Sequence, residues 1–495
     1  MNLHDASSSG EEVPVARSAG GVGAVNENRL VGVLAATGIV AALMQTLVVP
    51  LIGDLPQLLD TSASNATWVI TATLVAGAVC TPITGRLGDM YGKRRMLLIV
   101  TVPLIVGSLV CALATSVLPM IAGRALQGVG MGLIPLGISA MRDLLPPQRL
   151  NSAIALMSSS MGIGGALGLP LAAAVAQNAD WRMLFWGATA VSVLVAGLIW
   201  RTVPATPVDP AAGRFDPIGA AGLAVGLVCL LLAVSKGGDW GWTDGLTVGL
   251  VVAAVAVLLA WGWWELRVTD PLVDLRTTAR MQVLLTNVAG VVVGFSMYAQ
   301  SLILPQLLQL PESTGFGLGQ SMLEMGLWMA PGGFVMMAVA GVGARLSSAR
   351  GPRITLIVGA LILAVGYGSS LLLMGSAWGI MIVACICSAG TGFAYGAMPA
   401  LIMGAVPRSE TAAANAFNAL TRSLGTAVAA AVVGVVLAQM SVPVGDFTLP
   451  TEAGFRTGLL IGCGVALVAA TVAAAIPARR SAAADASVPD LVAQR

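Results

Sequence analysis

Gly85-Arg86-Leu87-Gly88-Asp89-Met90-Tyr91-Gly92-Lys93-Arg94-Arg95 is a cationic, glycine-studded stretch caught between two long apolar runs. Its spacing, G-x-x-x-D-x-x-G followed by three consecutive basic residues, reads as a compact turn joining two helix ends. Gly85, Gly88 and Gly92 let those ends turn sharply and let a neighbouring helix approach the backbone. Asp89 is a carboxylate placed to meet a helix N-terminus or an arginine. Lys93, Arg94 and Arg95 anchor the turn on the cytoplasmic face of a membrane. Any short loop between membrane helices collects Lys and Arg, which explains the triplet but not the glycine and aspartate frame.

The composition around this stretch is that of an integral membrane protein. The 495 residues are 57% apolar and 10% charged, whereas soluble domains carry about 25% charged residues. A net charge of +2 gives no electrostatic case for nucleic acid. Residues 1–28 are polar and the first apolar run is long enough to span, so no signal peptide is expected. The six cysteines all fall inside apolar runs, and the single histidine, His4, lies in the N-terminal tail. No metal site is expected from such a set. The G-x-x-x-x-G-K-[ST] pattern of nucleotide-binding loops is absent, which argues against ATP as energy source.

Apolar runs of about 20 residues predict fourteen spanning helices. They lie near 30–51, 66–84, 96–115, 117–141, 152–177, 182–203, 217–236, 245–265, 281–309, 322–342, 354–375, 377–403, 412–438 and 456–477. With a cytoplasmic N-terminus, 20 of the 25 Lys and Arg residues fall in tails or cytoplasmic loops. That asymmetry is the positive-inside pattern, and an even span count puts both termini in the cytoplasm.

The chain also repeats itself. Met44-Gln45-Thr46-Leu47-Val48-Val49-Pro50 is echoed by Ala299-Gln300-Ser301-Leu302-Ile303-Leu304-Pro305. Arg86-Leu87 and Gly92-Lys93-Arg94 match Arg345-Leu346 and Gly351-Pro352-Arg353, and Gly130, Gly132 and Pro147 match Gly390, Gly392 and Pro407. The expected organisation is a tail (1–29), a six-helix bundle (30–203), an inserted pair with its flanking loops (204–280), a second six-helix bundle (281–477) and a tail (478–495). Where the first half has Asp89 the second has Ser348, so the acidic frame exists once.

Two further features carry polarity or small size into the spans. Arg124-Ala125-Leu126-Gln127-Gly128-Val129-Gly130-Met131-Gly132 puts an arginine inside the fourth span, at a cost of about 2.5–3.5 kcal/mol on insertion scales. It serves either function or the carbonyls of a neighbouring helix. In the fifth span Gly164, Gly168 and Pro170 form a small-residue stripe with a kink.

With these residues placed, the chain resembles the 14-helix drug:proton antiporters of the major facilitator superfamily over roughly residues 30–477. The 85–95 stretch looks like the family's signature loop between the second and third helices, and Arg124 to Gly132 and the fifth-span stripe look like its other motifs. The fifth-span match is loose, with Gly168-Leu169-Pro170 for an adjacent Gly-Pro. Family members often have an Asp two residues before a threonine in the first span, where this chain has Met44 before Thr46.

The resemblance implies alternating access, in which two bundles rock about a central site. It also implies a bacterial plasma membrane, a small-molecule substrate, a proton gradient in place of any cofactor, and a monomer. The gating stretch would comprise Gly85, Gly88, Asp89, Gly92, Lys93 and Arg94. In this fold the first and fourth helices of each half line the cavity, here with Met44, Gln45, Gln127, Met131, Phe295, Tyr298, Gln300, Tyr395 and Met398. Such a lining suits hydrophobic or amphipathic substrates, and Gln45 and Gln300 are expected to face each other across the pseudo-two-fold axis. By depth, Gln45 is expected to reach Arg124. Arg124, Asp54 and Glu324 are the coupling candidates, although Ser321-Met322-Leu323-Glu324 also reads as a capping box. An exporter of one endogenous metabolite, or a receptor or scaffold without turnover, is the alternative to drug efflux.

Overall fold

The computed structural model describes residues 26–51, 55–205, 213–444 and 447–477. Among them fourteen helices are long and apolar enough to cross a membrane. In the first half these are α1 (Glu27–Thr46), α2 (Asn65–Tyr91), α3 (Lys93–Ala112), α4 (Val117–Leu144), α5 (Pro147–Asn178) and α6 (Arg182–Thr202). Next come α7 (Pro217–Gly238) and α8 (Gly245–Glu265). The second half holds α9 (Met281–Gln309), α10 (Met322–Arg350), α11 (Pro352–Leu373), α12 (Ala377–Met403), α13 (Arg408–Gln439) and α14 (Glu452–Ala475). A short antiparallel hairpin, β1 (Ser441–Val444) and β2 (Phe447–Pro450), joins α13 to α14.

The even number of spans leaves residues 26 and 477 at one end of the bundle, called here the tail face. Apolar packing falls into separate cores. One core is built almost wholly from α1–α6 and a second from α9–α14. A third joins α7 and α8 to Ala78 of α2 and Leu420 of α13. The inserted pair therefore covers the seam where α2 of one half meets α13 of the other. The outward side of α8 is apolar and open, with Val252, Val255, Leu259 and Trp263 each more than half exposed, as a lipid-facing helix requires.

The turn read from the sequence is shorter than expected. Residues 85–91 continue α2 as helix, α3 starts at Lys93, and the whole reversal falls on Gly92 at φ 91°. Only glycine takes that conformation without strain. The second half does the same at Gly351, φ 87°, between α10 and α11. The offset between the two joints is the 259 residues of the sequence repeat, so the duplication is visible in the backbone itself. At the other end of the first half, α1 stops at Thr46, short of the expected 51.

Candidate functional site

Helical continuation of α2 decides what the glycine and aspartate frame does. Gly85, Gly88 and Asp89 stand at i, i+3 and i+4, on one face, and that face meets α13. A Cβ on Gly85 would lie 2.5 Å from Ala416 Cβ and 2.8 Å from the Ala412 carbonyl oxygen. With the two backbones that close, the Asp89 carboxylate accepts hydrogen bonds from the N–H groups of Ala412 (3.1 Å) and Ala413 (2.9 Å). These are otherwise orphan donors at the start of a 29-residue helical run, the positive end of its dipole. Asp89 is 3% exposed, so the interaction is largely unscreened by water.

A buried charge cluster supports it. Lys93 Nζ lies 3.3 Å from Asp89 and 2.7 Å from Asp143 of α4. The neighbouring Arg142 reaches across the seam, donating to Thr411 Oγ1 and to the carbonyls of Val406 (3.2 Å) and Pro407 (3.5 Å). Arg142 and Asp143 were not singled out from sequence, although a charged pair closing a span two residues before Pro146-Pro147 was available as a signal. Arg94 is not part of the cluster; it donates to the Trp200 carbonyl at 2.5 Å and ties α3 to the end of α6.

The pseudo-symmetric contact is neutral. Ser348 of α10, the counterpart of Asp89, accepts from Asn151 Nδ2 of α5 at 3.1 Å. Asn151 is itself the counterpart of Thr411 at an offset of 260. At these two repeat-related positions the halves are joined once through a carboxylate on a helix dipole and once through a side-chain hydrogen bond. Elsewhere α5 and α10 lie in close contact, with Gly333 against Gly162 and Gly326 against Pro170.

Arg124 is 1% exposed. It donates to the carbonyls of Met44 (2.6 Å, α1) and Val69 (3.3 Å, α2) and to Gln127 Oε1 (2.6 Å). The expected contact with Gln45 is replaced by one to the preceding residue's backbone. Gln127 in turn donates to Ser108 Oγ at 2.8 Å. The arginine is therefore a pin between three helices, with its charge met by carbonyl dipoles. Beyond it, α4 tightens into a 3₁₀ turn at Gly130–Gly132, a common sign of a hinge. The fifth-span stripe packs as read: a Cβ on Gly164 would lie 2.5 Å from Ala42 Cβ and from the Ile39 carbonyl, and Gly168 abuts Thr46.

The residues expected to line a central cavity fare unevenly. Met44, Gln127, Phe295, Gln300, Tyr395 and Met398 are all buried. Met44 and Gln127 belong to the Arg124 network. Gln300 shares a helix face with Ser296, whose carbonyl accepts from Tyr367 of α11, and with Ile303, against Gly458 of α14. That face looks into the second half's own bundle. Gln45 is half-buried on α1 and Gln300 buried on α9, and these two helices share no extended contact. Gln45, Met131 and Tyr298 are only half-buried. Polar side chains in an apolar bundle are drawn to partners inside that bundle, which span position alone does not disclose. A polar cluster outside the expected set lies on α13: Arg422 donates to Asn418 (2.8 Å), Asn418 to Asn287 (2.9 Å), and the guanidinium stacks 4.8 Å from the Tyr395 ring. A second mid-span arginine was its only sequence signal.

Of the remaining coupling candidates, Asp54 lies outside the described residues. Glu324 forms the capping box: Ser321 N–H donates to Glu324 Oε2 (2.8 Å), and Glu324 N–H to Ser321 Oγ (3.3 Å). Its exposed carboxylate is engaged in starting α10. Among the described residues no cluster of His, Cys, Asp and Glu has a metal site's geometry.

A family model described as Major Facilitator Superfamily matches residues 34–430 and 288–489. The uncharacterized MFS-type transporter YhcA of Bacillus subtilis (strain 168) is 28% identical over 346 residues, 69% of this chain and 63% of that protein. The tetracenomycin C resistance and export protein of Streptomyces glaucescens is 30% identical over 328 residues, 66% of this chain and 60% of the relative. The matched stretch thus spans less than two thirds of either relative. The crystal structure of the human organic anion transporter MFSD10 superposes with a TM-score of 0.64 at 17% identity, covering 90% of this chain and 99% of that one.

Proposed function

The chain belongs to the Major Facilitator Superfamily, and from that premise we propose that it is a proton-coupled exporter of hydrophobic or amphipathic small molecules. The tail face is the cytoplasmic one in this reading, the protein acts as a monomer in the cell membrane, and transport proceeds by alternating access. The observation that carries the reading is the Asp89 contact at the start of α13. It is a charge-assisted closure between halves, made of two hydrogen bonds and bordered by glycine and alanine, so opening it separates little apolar surface. A relative named for tetracenomycin C resistance and export supports the substrate class.

The closure works through a few named groups. Asp89 holds α13 by its N-terminus, Lys93 and Asp143 fix the carboxylate, and Arg142 holds the α12–α13 loop. Release of this set lets the halves rock apart at the tail face, while Arg124 and the α1–α5 glycine contacts keep the first half a rigid body. The test is accumulation of a panel of hydrophobic dyes and antibiotics in cells with and without the protein. Lower accumulation that is lost when the proton gradient is collapsed is expected. Equal accumulation, or a difference that survives the collapse, overturns the reading.

A further inference from the structure

The inserted pair carries a feature that the transport cycle above does not use. Asp216 precedes α7, and Glu265 is the last residue of α8; both are buried at the tail face, at 7% and 2% exposed. The Asp216 carboxylate is fully engaged. Its Oδ1 accepts from the N–H groups of Ile218 (3.0 Å) and Gly219 (2.9 Å), and its Oδ2 from the Trp264 indole (2.9 Å). Glu265 has much less. Its Oε2 accepts one long bond from Val273 N–H (3.5 Å), and its Oε1 has no donor in good geometry, the Trp261 indole and the Leu272 N–H making only poorly aligned approaches to the carboxyl group. The indole N–H of Trp261, beside Glu265, is also without a well-aligned partner.

The two carboxyl groups flank Gly219 and stand no more than about 5 Å apart. A Cβ on Gly219 would lie against Asp216 Oδ2 and 2.6 Å from Glu265 Oε1, so glycine there is what lets the acids approach. No Lys or Arg is ion-paired with Glu265 among the described residues. Arg214 offers its backbone N–H to Asp270, Arg276 donates to the Leu266 carbonyl, and Arg267 stacks on Trp263. Two ionised carboxylates this close in an apolar setting repel strongly. One proton shared between them removes the repulsion and gives Oε1 the partner it lacks.

We infer that Asp216 and Glu265 form a proton-binding site in which a protonated Glu265 donates from Oε1 to the ionised Asp216. Its ligand is a single proton taken from the tail-face solution, and its release leaves two adjacent carboxylates. The consequence is mechanical. Glu265 accepts from Val273, and the linker that carries Val273 and its neighbour Leu272, both buried, runs on to line a cavity of about 250 Å³. Arg86 of α2, Glu410 at the start of α13 and Asn287 of α9 form the other walls, with Asp270, Asp274 and Arg276 on the linker itself. This is the flank of the Asp89 contact. Loss of the shared proton drives Glu265 from Asp216, frees the Val273 N–H and lifts the linker from the seam.

The site does not depend on the protein being an exporter, so the test reads the proton and the linker directly. In the purified full chain, infrared difference spectra should show a protonated-carboxyl C=O band at neutral pH that fades on alkaline titration and is absent from Glu265→Gln. In a variant with its six native cysteines replaced, Leu272→Cys should be slow to react with a water-soluble maleimide and several-fold faster across the same titration. Adding Glu265→Gln, whose amide keeps the neutral shape, should leave only the rise that thiol ionisation itself gives, as measured at an exposed control cysteine. A wild-type spectrum without a band removed by Glu265→Gln, or identical pH dependence of labelling in both backgrounds, overturns the inference.

Discussion

Asp89 is worth more to the seam than an ordinary polar residue because the backbone N–H groups it meets at the start of α13 are otherwise orphan donors. Hydrogen bonds to a charged group contribute roughly 1.5–3 kcal/mol each, against about 0.5–1.5 for neutral pairs. Asparagine keeps the shape and one acceptor oxygen but loses the charge facing the α13 dipole. Asp89→Asn is therefore expected to weaken the tail-face closure by about 2 kcal/mol, roughly a 30-fold shift toward the open form. Transport should fall while the amount of inserted protein, read on an immunoblot, stays normal. Arg124 differs in kind, since its three acceptors come from α1, α2 and α4 itself. Arg124→Ala should abolish transport and lower the melting temperature in detergent together, because it removes the donors that tie α1 and α2 to α4 and leaves a cavity among the three helices. Glu324→Gln, at an exposed cap, should leave both close to wild type; a large loss of proton dependence there would restore Glu324 as a coupling group.

At the level of elements, glycine separates contacts that move from contacts that do not. Gly164 lies between α1 and α5 inside one half, and Gly85 lies between α2 and α13 across the seam. Adding a methyl group overpacks both, at about 1–3 kcal/mol. The cost should be read in different quantities. Gly164→Ala should lower the melting temperature by several degrees, whereas Gly85→Ala should leave it nearly unchanged and make the tail face more accessible to water-soluble thiol reagents. Equal melting losses would mean that the seam is as fixed as the half. The spans themselves were legible from apolar run length, and α12 falls on the expected 377–403. The turn at 85–95 was less so, because G-x-x-x-D-x-x-G fits both a loop and one face of a helix. Only Gly92 at positive φ shows that the reversal needs a single residue.

Across the whole molecule the duplication sets the design and one substitution breaks its symmetry. Gly92 and Gly351 repeat as backbone joints, and Asn151 and Thr411 repeat at the starts of α5 and α13. Asp89 against Ser348 then makes one tail-face contact electrostatic and the other weak. This much could be read from the chain, because repeat offsets and a single-copy acid are properties of sequence. The cavity could not, since burial of Gln300 toward α11, or of Gln127 toward Ser108, depends on helix rotation that span position leaves open. The place of the inserted pair over the α2–α13 seam was likewise set by packing of its apolar faces. The most direct measurement is the distance between spin labels at Tyr91 on α2 and Arg408 at the start of α13, in a variant lacking the native cysteines. A dominant short distance is expected, with a longer population that grows in Asp89→Asn and responds to substrate or pH. The same single distance in both proteins under every condition would contradict a seam that opens and closes on Asp89.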